Sequence, residues 1–168
     1  MSEGCPSRSG LERNERSDPG YKKRGELESS SPAQEATSMG LEERRKIKEL
    51  QDVTFPERVH EIEEICGKSI PYDVDWTSFA DDMEGLKFLD NISCHRLNMA
   101  LRTICIDDMG REAVRETLTQ IKLKNVKSRD EMKLSFEGGV LEMHCAYALR
   151  TDGMYSDREI CQALMQKF

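Results

Sequence analysis

Two aspartates separated by one position, Asp73-Val74-Asp75, with Asp81 and Asp82 close behind, are the residues whose types and spacing come nearest to chemistry. Alternate side chains of an extended segment share a face, so Asp73 and Asp75 stand about 6 to 7 Å apart on one side of a strand. With Asp81 or Asp82 they have the composition of a divalent-cation site, because hard cations take carboxylate oxygens. Such a site would support metal-assisted hydrolysis or group transfer. Any amphipathic strand with one wet face shows the same spacing, however, and solvated carboxylates are the preferred reading here.

Cys94-His95 and His144-Cys145 offer thiolate sulfur and imidazole nitrogen, the usual donors to tetrahedral zinc. Their adjacency works against convergence. Neighbours on a helix are about 100° apart, and neighbours on a strand point to opposite faces. No Cys-x-x-Cys pair occurs in the chain. Cys145 shares the apolar register of Met143 and Tyr147 and belongs to the core, whereas His144, in register with Glu142, belongs to the solvent face. A Cys-His nucleophile would need a base positioned in space and an electropositive setting, which adjacency does not supply. A thiol-based redox sensor at Cys94 or Cys145 is kept as an alternative, with rapid native-state alkylation as its requirement. His60, flanked by glutamates, reads as a solvated imidazole.

The run Asp152-Gly153-Met154-Tyr155-Ser156-Asp157-Arg158-Glu159 has the turn glycine and terminal glutamate of half a calcium loop. Ala148 and Arg150 stand where the first acidic ligands belong, so it reads as a turn followed by a helix cap. Lys122, Lys124, Lys127, Arg129 and Lys133 form the densest basic cluster. With Glu131, Glu137 and Glu142 interspersed, they fit cross-strand pairing on a wet sheet face. No phosphate loop, nucleophile elbow or dinucleotide fingerprint is present.

The elements that would position these residues follow from periodicity. Leu41 to Leu50 favours helix but has few apolar positions, so it predicts a weakly docked lead-in. Thr54 and Glu57 have capping-box spacing around Pro56, and Phe55, Val59, Ile62 and Cys66 recur at helical intervals up to a stop at Gly67. Ile70 to Trp76 alternates as a strand with Tyr72, Val74 and Trp76 inward. Asp82 to Asp108 is helical, with a break near Asn91 to Ser93. Asp107-Asp108 ends it and caps a helix from Arg111 to about Gln120, whose inward stripe is Val114, Leu118 and Ile121. Strands follow at Ile121 to Val126, Met132 to Glu137 and Val140 to Leu149, the last two joined by Gly138-Gly139. Ser156 and Glu159 open a final helix carrying Ile160, Ala163, Leu164 and Phe168 inward.

Helices segregated from strands predict an α+β class, with an antiparallel sheet of three to four strands and helices packed on one face. Residues 40–168 form that single domain. Residues 1–39, rich in Ser, Glu, Arg, Gly and Pro, read as a disordered extension with a modification candidate at Ser29-Ser30-Ser31-Pro32. The chain has 168 residues, 37% hydrophobic and 34% charged, with a net charge of −7 that disfavours phosphate backbones as partners. No stretch has the roughly 20 apolar residues of a membrane helix. Six widely spread cysteines without a secretory leader predict reduced thiols and a cytoplasmic location. The expected function is therefore a non-catalytic soluble domain acting through interaction with another protein, in a regulatory or adaptor role. The metal-assisted hydrolase or transferase using Asp73, Asp75, Asp81 and Asp82 is the first alternative, and the thiol sensor the second. No residue is assigned as catalytic, cofactor-binding or metal-ligating, and no cofactor is expected.

Overall fold

In the computed structural model, residues 39–168 are described; the expected extension, Met39 excepted, lies outside them. Helix α1 (Leu41–Glu49) runs through a π-helical turn at Leu50–Thr54 into α2 (Phe55–Cys66) without a break. Pro56 has no N–H to donate four residues back, and the Phe55 N–H instead bonds the Leu50 carbonyl five residues back. This corrects the expected cap. Thr54 is itself helical, with φ −65 and ψ −50, and makes no side-chain capping bond. The lead-in helix is also more firmly docked than its composition suggests, since Ile47 and Leu50 are buried. Gly67 stops α2 with φ +74, donating its N–H to Glu63.

A second composite helix joins α3 (Met83–Leu89), a π turn at Asp90–Cys94 and α4 (His95–Ile104), so the expected break is a widened turn. Helix α5 (Asp108–Thr117) then returns the chain to the sheet, with Val114, Leu118 and Ile121 buried as the stripe predicts. Helix α6 (Asp157–Met165) opens on the complete Ser156–Glu159 capping box.

The sheet is mixed rather than antiparallel, which corrects the predicted topology. Strands β1 (Tyr72–Val74), β2 (Gln120–Asn125), β3 (Lys133–Glu137) and β4 (Val140–Cys145) lie in the order β1-β2-β4-β3. The β1–β2 and β2–β4 pairs are parallel, and only β3–β4 is antiparallel. The β1–β2 connection passes through α3, α4 and α5, the helical crossover that parallel neighbours require. After β2, the link through a 3-10 turn at Arg129–Glu131 carries the chain past one strand position, about 10 Å as two inter-strand spacings. The Gly138–Gly139 hairpin, both glycines at positive φ, brings β4 back into the gap. Strand β4 ends at Cys145, short of the expected Leu149, because Ala146 bonds Gly153 and the chain coils into 3-10 turns over Tyr147–Gly153.

Register explains the two faces. Tyr72, Ile121, Leu141 and Phe136 form one row across the sheet and Val74, Leu123, Met143 and Leu134 another, all packed into or against the core. Between them lie Asp73, Lys122, Glu142 and Ser135, and beyond them Lys124, His144 and Lys133. Helices cover the apolar rows. An aromatic line from Phe55 through Trp76 and Phe79 to Tyr147, with successive centroids 5.7, 6.3 and 5.3 Å apart, fastens the composite helices to the sheet end.

A polar knot ties α2 to the other helical layer. Arg58 donates to both Asp90 oxygens at 2.7 and 2.9 Å, while Glu61 accepts from Arg58, Asn98 and Arg102. Burial pushes the Glu61 carboxyl up, but these donors outweigh it and hold the group at about 2. Among the described residues no helix is long and apolar enough to cross a membrane.

Candidate functional site

The four aspartates nominated for a cation occupy separate environments. Asp73 lies on the wet sheet face, 3.9 Å from the Lys122 ammonium and 3.5 Å from the Gln120 amide. Asp75 caps the short 3-10 turn Trp76–Phe79, accepting from Thr77 Oγ1 at 2.6 Å and the Ser78 N–H at 3.3 Å. Asp82 is buried, accepting the Gly85 N–H at 2.8 Å and Asn125 Nδ2 at 2.7 Å. Asp81 sits at a left-handed turn with φ +59. Asp73 and Asp75 do share one groove, about 230 Å³, but Lys122, Lys124 and His144 line it with them. Among the described residues, no group of three or more His, Cys, Asp or Glu is placed to hold a metal ion.

The wet face is an ion-pair lattice. Lys133, directly across from His144 and diagonal to Glu142, donates to Glu142 and, with His144, holds its carboxyl below the usual carboxylate range. Lys122 and Lys133 are thus both committed to sheet carboxylates.

Cys94 and Cys145 are buried and point away from their neighbouring imidazoles: His95 is exposed, and His144 faces Glu142 at 3.2 Å on the opposite side of the sheet. Burial pushes the Cys145 thiol up to about 11 and raises the Cys94 thiol further. Neither forms a thiolate readily. The calcium-like run is consumed locally, with Glu159 accepting from the backbone and hydroxyl of Ser156. His60 is exposed, 3.5 Å from Glu64.

A feature of another kind lies where α4, α5 and α6 meet. Asp107 caps α5 by accepting the Gly110 N–H at 2.8 Å, which turns the chain sharply after α4. A Cβ at Gly110 would lie 1.8 Å from the Ile104 carbonyl oxygen, so only glycine lets α5 start so close to the end of α4. The turn leaves Ile106 and Met109 pointing outward, 80% and 81% exposed. Across from them, Met165 at the end of α6 and Phe168 beyond it close an apolar groove of about 390 Å³. Phe168 rests edge-on against Phe136, with centroids 5.8 Å apart. Met99, one turn before the groove residue Thr103, is 40% exposed. Five of the eight large apolar side chains exposed among the described residues therefore belong to this corner.

Acidic groups edge it. Asp107, Asp108, Glu112 and Glu116 are all exposed, and the glutamates stand three and seven residues beyond Met109 along the same side of α5. Among the described residues neither glutamate pairs with a cation; Arg111 turns back to Asp108 at 3.5 Å, and Arg115 lies beside Gly67 at the end of α2.

Sequence reasoning missed this groove and placed Phe168 in the core, where the structure leaves it 38% exposed. The available signal was negative. Ile106 and Met109 flank Asp107-Asp108 but fall outside the Val114–Leu118 stripe, and Met165 sits about 100° from Leu164 on the wheel of α6.

Comparison of the chain with protein-family models, with curated proteins and with solved structures returned no match.

Proposed function

We propose that this domain works by binding another protein, and that the groove between the α4–α5 corner and α6 receives an amphipathic helix of that partner, apolar stripe inward and Lys/Arg flank toward α5. The observation that carries the reading is the gathering of Ile106, Met109, Met165 and Phe168 around one groove, with Met99 a turn away on α4, whereas only three other large apolar side chains are exposed among the described residues. Burying apolar side chains is the main driving force for association, at roughly 25 cal/mol per Å² of surface removed from water. Three of these five side chains are methionines, and flexible thioethers adapt to the knobs of an incoming helix. Charge selects among such helices. The exposed glutamates Glu112 and Glu116, which pair with no cation among the described residues, favour a cationic flank, and the net charge of −7 adds long-range attraction.

The test is a methyl-NMR titration of methionine-labelled protein with a helical peptide built from leucine and lysine, against a matched peptide of leucine and glutamate. The expected result is movement of the Met109 and Met165 methyl signals with the lysine peptide, weakened by salt. Unmoved signals, or equal movement with the glutamate peptide, would overturn the reading.

A further inference from the structure

Cys66 and Cys105, contributed by two different helices, bring their sulfurs to 3.2 Å. Cys66 closes α2 just before Gly67, and Cys105 follows the last residue of α4. Both are free thiols. Their surroundings make them unequal. The Cys66 thiol beside it lowers the Cys105 thiol, burial opposes this, and the guanidiniums of Arg111 and Arg115 from α5 reinforce the lowering against a weaker push from Asp107. Cys66 is held protonated by its contact with the Cys105 sulfur and by burial. Cys105 is 6% exposed and Cys66 is fully covered, so only a small reagent reaches the pair, and it reaches Cys105 first.

We infer that Cys66 and Cys105 form a redox-active dithiol, oxidised to an intramolecular disulfide by a small hydroperoxide. The site lies outside the groove reading and does not rest on it. Cys105, as thiolate, attacks the terminal peroxide oxygen. The O–O bond breaks, Cys105 becomes a sulfenic acid, and the departing alkoxide takes a proton to leave as an alcohol, or as water when the oxidant is hydrogen peroxide. The Cys66 sulfur then attacks the sulfenic sulfur. An S–S bond forms, the S–O bond breaks, and hydroxide leaves as water with the Cys66 proton. Two thiols lose two electrons in all, and one peroxide gains them.

The experiment treats the full chain with hydrogen peroxide under native conditions, counts thiols before and after, and maps linked peptides. Expected is the loss of two thiols, a Cys66–Cys105 linked peptide, and recovery of both thiols with dithiothreitol. In Cys66→Ser the linkage disappears and Cys105 is trapped as a sulfenic acid by dimedone. Retention of every thiol at a peroxide dose that oxidises a small free thiol in the same tube would overturn the inference. So would a linkage that maps instead to Cys5, Cys94, Cys145 or Cys161. The wild-type map decides on its own, whether or not the variant folds.

Discussion

Replacing Asp82 by alanine separates a structural carboxylate from a cation ligand. The side chain accepts two hydrogen bonds, from the Gly85 N–H at the start of α3 and from Asn125 Nδ2 at the end of β2. Loss of the first is loss of a helix N-cap, typically about 1 kcal/mol. Loss of the second strips a charged acceptor from a buried amide, about 1–3 kcal/mol, with the lower part of that range applying because Asn125 keeps the Ser78 carbonyl at 3.1 Å. The sum is a destabilisation of about 2–3 kcal/mol, or roughly 10 °C in melting temperature for a domain of this size. Asp82→Asn retains a capping oxygen but sets two amide donors against each other, and loses about half as much. Urea and thermal denaturation, each run with chelator and with millimolar magnesium or manganese, provide the measurement. The loss is expected to be the same in both media. A loss below about 0.5 kcal/mol, or wild-type stabilisation by the cation that vanishes in the variant, would refute the reasoning and revive the metal-assisted alternative.

Acid should weaken the fold through Glu61. Its folded value of about 2 lies below the ordinary 4.5, so its contribution is complete above about pH 4.5 and disappears as pH falls toward 2. Urea midpoints of the wild type should drop across that window, and Glu61→Gln should be weaker at neutral pH with a flatter acid limb. Oxidation of the Cys66–Cys105 pair closes a loop of 39 residues, which restricts the unfolded chain by up to about 4 kcal/mol in the chain-entropy account. The peroxide-treated protein should show a higher urea midpoint than the reduced one, and a lower midpoint would show that the bridge strains the α2–α4 contact. The doubly substituted Ile106→Ser, Met109→Ser protein should keep its stability within about 0.5 kcal/mol, because both side chains are already about four-fifths exposed; a larger loss would make them packing residues.

Much of the architecture can be read from periodicity. The Val114, Leu118 and Ile121 stripe, the Gly67 stop, the Ser156–Glu159 box and the alternation that sends Cys145 inward and His144 outward all appear in the structure as the residues dictate. Each is a local property, decided within a turn or a pleat. The strand order is not local. Adjacent strands in sequence usually pair, and nothing in Val126 to Met132 announces that the chain skips a position and lets β4 fill it. Thr54 misleads for a related reason, because its capping potential is overridden when α1 and α2 fuse across a π turn. The Ala146 to Leu149 run continues the apolar pattern of β4, yet the Ala146–Gly153 pairing bends it into 3-10 turns.

The groove escapes sequence reasoning because amphipathic analysis finds side chains that point inward, whereas Ile106, Met109 and Met165 are those left off every stripe. Only the approach of α6 to the α4–α5 corner makes them one surface. The Cys66–Cys105 pair is hidden likewise, since two widely separated positions become neighbours through the packing of α2 on α4.

Titration calorimetry of the leucine–lysine peptide against the wild type and the Ile106→Ser, Met109→Ser protein bears most directly on the binding claim. The account predicts measurable affinity for the wild type and at least a tenfold loss, about 1.4 kcal/mol, in a variant whose melting temperature is unchanged. Equal affinity for the two proteins would contradict it.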